Sequence, residues 1–147
     1  MTRLAALPQA WLVLFAAAGL GLGWFLPLNL PPLLRGAGLL LVAAGLGLML
    51  WAALTMRRAR TTVMPGRRPE ALVEAGPFRF SRNPIYLGDV ILLAGLMLAL
   101  SAPLGLALLP VFVWLLQDRF IRKEEEVIAA AFGSAYDRYR LRVRRWI

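Results

Sequence analysis

The sequence has no cysteine and no histidine. Without cysteine there is no disulfide framework, no thiolate nucleophile and no cysteine metal site. Without histidine, Ser-His-Asp chemistry, histidine-ligated zinc and a histidine proton shuttle are excluded. No metal is expected, and any catalysis must use carboxylate, Tyr, Arg, hydroxyl or backbone groups. Charge is scarce as well: 17% of the 147 residues are charged, against about 25% in soluble chains. Acids are the scarcest, with 8 Asp and Glu against 17 Lys and Arg, for a net charge of +9. What the chain has instead is apolar residues, 60% of the total, with a mean hydropathy of +0.67. A soluble domain of this length has too much surface for its volume to hide that composition. Disorder is excluded on the same ground. The solvent is a bilayer, and the basic excess reads as membrane topology and anionic lipid, with no nucleic acid.

Apolar blocks and basic segments alternate along the chain. The first block, about residues 9–28, has no ionisable side chain and the length of a membrane-spanning helix. It is long for a signal peptide's apolar core, so it is expected to stay as a span. Asn29-Leu30-Pro31-Pro32 then breaks the helix. The second span, 33–56, carries Arg35 near its start, and Gly36, Gly38, Gly45 and Gly47 as small packing faces. Residues 57–84 form a basic, turn-rich loop with seven Arg. The third block is read as a hairpin of two spans, 85–101 and 103–120, turning at Ser101-Ala102-Pro103. From 121 to 147 the chain is charged and helix-prone. Phe132, Tyr136, Tyr139, Val143 and Trp146 fall on one helical face, and Arg138, Arg142 and Arg145 on the other. The expected fold is thus one all-α membrane-embedded domain, 1–147, of about four spans plus a C-terminal amphipathic cytosolic helix. Residues 57–84 and 117–147 hold 15 of the 17 basic residues. The positive-inside rule puts both in the cytoplasm, together with both termini and Arg3. The expected location is a bacterial inner membrane.

Gly19-Leu20-Gly21-Leu22-Gly23 resembles a nucleotide loop on paper, but it lacks the strand before it and the helix after it. It is read as a helix-packing face. A denser signal runs from Gly76-Pro77-Phe78-Arg79 through Ser81-Arg82-Asn83-Pro84-Ile85-Tyr86-Leu87-Gly88. Gly-Pro turns the chain tightly. Asn83 is held extended by Pro84, which can start a helix. Tyr86 and Arg82 then sit at that helix start. Asp89 follows three residues after Tyr86, where an ionisable group needs a partner or water; Arg82 or an Arg of the last helix could pair with it, or it could belong to the site. The second signal is Arg122-Lys123-Glu124-Glu125-Glu126. Arg122 and Glu126 have i, i+4 spacing and can pair. Glu124 and Glu125 point to adjacent faces, so at least one should meet the Arg-rich loop.

Together these two signals, with Phe132-Gly133, Tyr136, Tyr139, Val143 and Arg145-Trp146-Ile147, resemble the integral-membrane methyltransferases. These are the isoprenylcysteine carboxyl methyltransferase and phospholipid (phosphatidylethanolamine) N-methyltransferase families. Thr62-Val63, Pro65 and Ala71-Leu72-Val73 resemble their lead-in, so the likeness covers about 62 to 147. It implies S-adenosylmethionine as cofactor, with S-adenosylhomocysteine as product, in a cytosolic pocket without a Rossmann domain. It implies cofactor binding by Gly76, Pro77, Phe78, Arg82, Asn83, Pro84, Tyr86, Leu87, Gly88, Glu124 and Glu125, and catalytic roles for Arg82, Tyr86 and Glu125. Asn83 stands where the isoprenylcysteine enzymes typically carry His. The implied reaction is direct in-line displacement onto a lipophilic acceptor, an isoprenylcysteine-type carboxylate or a phospholipid amine. Glu124, Glu125 or Asp89 would take the proton of an amine. Membrane lipids are the implied partners. The alternatives are a small transporter, which would need an ionisable residue at mid-membrane, and a non-catalytic four-span scaffold that binds anionic lipid.

Overall fold

The computed structural model describes residues 7–25, 27–61 and 69–147. Arg3 and the lead-in residues Thr62, Val63 and Pro65 lie outside them. The described residues form helices joined by short turns, with no strand among them. Helix α1 is Pro8–Phe25 and α2 is Pro32–Arg58. Each begins on a proline, whose fixed φ and missing N–H suit a first helical turn. Helix α3, Pro84–Ala99, starts the same way, directly after Asn83. A continuous helical run of 30 residues follows, Pro103–Phe132. It opens as a tight 3-10 turn, becomes α4 (Leu109–Leu116), loosens into a π-turn over Gln117–Ile121 and continues as α5 (Arg122–Phe132). Helix α6 is Ser134–Arg142.

Three of these helices, α1, α2 and the Pro103–Phe132 run, are long and apolar enough to cross a membrane; α3 is apolar but shorter. Their outward faces carry bare apolar side chains: Trp24 is 85% exposed, Leu33 83% and Leu40 74%. Patches of that size belong in lipid. The chain is a membrane protein.

Glycine sets the closest packing. A Cβ on Gly45 would lie 2.8 Å from the Gly88 carbonyl oxygen of α3, and one on Gly38 would collide with the backbone at Gly95 and Ala99. The α2–α3 seam is therefore backbone against backbone at two levels, seven residues apart on each helix. Gly36 and Gly47 face open space, so only two of the four glycines expected to pack do so. Gly19 and Gly23 of α1 abut Met97, Gly105 and Ala102, so these two glycines form the packing face, whereas Gly21 meets open space. The core between α1, α3 and α4 contains Leu93, Met97, Phe112, Leu116 and Ile121. Phe15 rests on Phe112 with ring centroids 5.0 Å apart.

The chain turns between α3 and the next run where the sequence places a hairpin, with Ser101 at φ +55°. The C-terminal region differs from expectation. A single helix over 121–147 is replaced by α5 and α6, broken at Gly133, which sits at φ +49°. From Val143 the backbone is extended, with φ −123° and ψ 128°. Helical spacing therefore misplaces the last residues: Arg138 and Arg142 are exposed, whereas Arg145 turns inward.

Candidate functional site

The site is built on the turn ahead of α3. Thr61, buried just past α2, accepts the backbone N–H groups of Glu70 (3.1 Å) and Ala71 (3.4 Å) on its hydroxyl and fixes the far end of the basic loop. The chain then reaches Gly76 at φ +58°. A Cβ there would stand 2.8 Å from Thr55 Oγ1 and 3.3 Å from Trp51 Nε1. Glycine is required on both counts. Gly76–Arg79 close a single 3-10 turn that buries Pro77 and Phe78. The Ser81 hydroxyl accepts the Asn83 backbone N–H at 3.1 Å, and Pro84 opens α3.

The C-terminal segment forms the opposite wall. Tyr139 donates its hydroxyl to the Phe78 carbonyl at 2.7 Å. The Arg144 carbonyl accepts the Arg82 backbone N–H at 3.0 Å. The Arg145 carbonyl accepts from the Ser81 hydroxyl (3.3 Å) and from Asn83 Nδ2 (3.1 Å). The Trp146 indole donates to Gln117 Oε1 at 3.2 Å. The last residues are a strap, laced by hydrogen bonds to the turn that starts α3.

Glu125 sits between two guanidinium groups. Arg82 Nη2 lies 3.1 Å from Oε1, and Arg145 Nη2 lies 2.6 Å from Oε2. Arg145 Nε is 3.2 Å from both oxygens. The π-turn over Gln117–Ile121 makes this possible: one extra residue per turn rotates α5 relative to α4. Glu125 then faces the turn, and Glu124 faces α3, where it accepts the Tyr86 hydroxyl at 2.7 Å. The hydrogen bond to Glu125 raises the proton affinity of Arg145 further. Burial pushes the Tyr139 phenol well above its ordinary value, against an opposing effect of Arg82. Burial first, then the Glu125 charge, raise Tyr136. Both phenols are neutral donors at physiological pH.

Between the walls lies a cavity of about 70 Å³, lined by Phe78, Arg82, Asn83, Glu125, Phe132, Tyr136 and Tyr139 among others. Arg82 Nε is buried without a hydrogen-bond partner among the described residues. Of the residues singled out from the sequence, Phe78, Arg82, Asn83 and Glu125 meet at this cavity, and Gly76 and Pro77 form the turn that carries them. Tyr86 and Glu124 form a separate pair and do not line it. Neither do Pro84, which starts α3, Leu87, or Gly88, which packs against Gly45 and Met49 of α2. Two pairings that the sequence spacing allows are absent among the described residues. Arg122 bonds Asp118 at 3.1 Å, one turn back, instead of Glu126. Asp89 is 0% exposed, and neither carboxyl oxygen has a partner among the described residues. Tyr136, Tyr139 and Phe132 were legible as one face but not as cavity walls, and Arg145, read from the sequence as part of the solvent-facing Arg stripe, instead binds Glu125.

The cavity offers the groups that S-adenosylmethionine would need: flat aromatic walls, a buried guanidinium donor for its carboxylate, and a carboxylate acceptor. The residues fit that ligand by type. The sequence model for a family described as phospholipid methyltransferase matches residues 34–135. That stretch runs from α2 to the start of α6 and includes both charged partners Arg82 and Glu125. No curated protein matches the chain.

Proposed function

The chain belongs to the phospholipid methyltransferase family, and on that premise we propose that it methylates a lipophilic acceptor with S-adenosylmethionine at the cytosolic membrane face. The acceptor is a phospholipid amine or an isoprenylcysteine-type carboxylate. The observation that carries the reading is the cavity where the turn before α3, α5 and the C-terminal strap converge on Arg82 and Glu125. In this reading the chain crosses the bilayer four times, through α1, α2, α3 and the run from Pro103. Helix α3, with 16 residues, is about 24 Å long, so its start lies close to the interface, where lipid and cytosol both reach it. The basic segments, and with them both termini, face the cytoplasm.

Arg82, Asn83 and Glu125 would hold the cofactor from the cavity wall, with Phe78 as an apolar face and Gly76-Pro77 shaping the turn. Pro84, Tyr86, Leu87, Gly88 and Glu124 complete the group at the helix start. When bound, S-adenosylmethionine supplies a methyl group made electrophilic by its sulfonium. Alignment of the acceptor with that methyl gives most of the acceleration in such a displacement, so a chain without cysteine or histidine loses nothing by their absence. Arg82, Tyr86 and Glu125 are the residues proposed to orient the reactants. For an amine acceptor the chain must also take up a proton, and Glu124, Glu125 and Asp89 are the carboxyls near this end of α3. A carboxylate acceptor needs none.

The test is calorimetry on the purified chain in mild detergent, with S-adenosylmethionine, S-adenosylhomocysteine and ATP as ligands. Micromolar binding of the first two and none of ATP is expected. Labelled methyl transfer into phosphatidylethanolamine vesicles then separates the amine from the carboxylate acceptor. A folded, monodisperse chain that binds neither sulfur ligand, in detergent and in nanodiscs, refutes the proposal.

A further inference from the structure

We propose that Arg145 is a positioning residue that keeps Arg82 free for an anionic ligand group, by occupying Glu125 from the other side. The inference rests on the reading that Arg82 faces the cofactor's carboxylate.

Glu125 has two oxygens and is closely enclosed: its side chain is 14% exposed, that of Arg82 12% and that of Arg145 33%. Arg145 takes the carboxylate as a fork, with Nη2 at 2.6 Å from Oε2 and Nε at 3.2 Å from both oxygens. The planar guanidinium matches a carboxylate best in this two-nitrogen arrangement. Arg82 is left with one nitrogen on Glu125, Nη2 at 3.1 Å from Oε1. Its Nη1 reaches only the Arg140 carbonyl, at 3.4 Å. Its Nε is buried with no partner among the described residues. A buried donor left unmade costs free energy. The obvious relief is for Arg82 to turn its own fork onto Glu125, and Arg145 already holds that place.

Arg145 is well placed for this because its backbone is registered to the same turn. Its carbonyl receives both the Ser81 hydroxyl and Asn83 Nδ2, and the neighbouring Arg144 carbonyl receives the Arg82 N–H. The two arginines are fixed relative to one another by main-chain bonds that do not involve either side chain. Removing the Arg145 guanidinium would leave the strap's backbone bonds in place. Glu125 would then have a single nitrogen partner, and Arg82 would close onto it with Nε and Nη2, leaving the cavity without its free donor.

The test compares two ligands. S-adenosylhomocysteine carries the amino-acid carboxylate; 5′-methylthioadenosine has the same nucleoside and thioether but lacks it. Both are titrated by calorimetry against the full-length protein and Arg145→Gln. The expected result is about tenfold weaker binding of S-adenosylhomocysteine and a change within about threefold for methylthioadenosine. Arg145→Lys, which keeps the charge but not the fork, should recover part of the loss. In an Glu125→Gln background, Arg145→Gln should add less than about threefold, because the residue acts through Glu125. Equal weakening of both ligands would show a structural role only and overturn the inference, as would unchanged binding of S-adenosylhomocysteine. If Arg145→Gln does not fold, Arg145→Lys carries the same two-ligand comparison, and a selective loss is still required. Failure of the wild-type protein to bind S-adenosylhomocysteine would instead refute the proposed function itself.

Discussion

Tyr139→Phe and Tyr136→Phe delete one oxygen each from neighbouring positions on α6, and the structure gives them different consequences. Both rings are buried, with Tyr139 3% and Tyr136 4% exposed. The Tyr139 hydroxyl is the donor to the Phe78 carbonyl at 2.7 Å, and Phe78 itself is 9% exposed. Removing the donor leaves that carbonyl in the turn unsatisfied, which costs about 1–3 kcal/mol. The Tyr136 hydroxyl makes no such bond to the turn, so its removal should cost less than that of the Tyr139 hydroxyl. The ring volume is unchanged in both variants, so packing does not separate them. Unfolding of the detergent-solubilised protein, followed by tryptophan fluorescence, measures the difference. Equal stabilities for the two variants would refute the assignment of the Tyr139 bond as the tie between strap and turn. The pH dependence gives a second check. Burial raises the Tyr139 phenol in the folded protein above its unfolded value. Its contribution is therefore complete below the unfolded value, about pH 10, and is lost as pH rises toward the folded one. The wild type should lose stability above that pH more steeply than Tyr139→Phe.

Two further substitutions test the turn and the seam. Gly76→Ala places a Cβ at φ +58° and 2.8 Å from Thr55 Oγ1, so it should destabilise by about 1–3 kcal/mol and weaken S-adenosylhomocysteine binding in the same calorimetric assay; unchanged affinity would mean that the turn does not shape the site. Gly45→Ala drives a Cβ to 2.8 Å from the Gly88 carbonyl oxygen and the Leu92 nitrogen, so it should lower the melting temperature through a cost of about 1–3 kcal/mol; Gly47→Ala, which meets open space, should not.

What could be read from the sequence was whatever depends on neighbours in the chain. Proline before an apolar block starts α2 and α3, and Ser101-Ala102-Pro103 makes the turn after α3. The Gly-Pro turn forms because Gly76 alone tolerates its φ beside Trp51 and Thr55. Gly88 shows where such reasoning stops. It lies inside the motif that suggests a ligand, yet its missing side chain makes room for α2, forty-three residues earlier at Gly45. Nothing local distinguishes a glycine that admits a ligand from one that admits a helix. Asp89 makes the same point for charge. Helical spacing put a cation within reach, but Arg82 is drawn to Glu125, leaving both Asp89 oxygens without a partner among the described residues.

The C-terminal residues show how two breaks in a helix redistribute chemistry. Spacings of 4, 3, 4 and 3 from Phe132 to Trp146 hold on one face only if the helix is continuous. Gly133 at φ +49° ends α5, and the extended backbone at Val143 ends α6. Tyr136 and Tyr139 still face inward, because they lie within one helix, three residues apart. Arg145 lies beyond the second break. A continuous helix would have put it with Arg138 and Arg142 in solvent; the extended segment carries it back to Glu125, twenty residues earlier in the chain. The same geometry supplies the carbonyls of Arg144 and Arg145 to Arg82, Ser81 and Asn83. In a helix, those carbonyls near its end would be taken up or turned along its axis. The strap can satisfy the polar groups of the Gly76–Asn83 turn because its backbone has stopped being helical. Periodicity reads the residues that stay in a helix and is silent on those whose work begins where the helix ends.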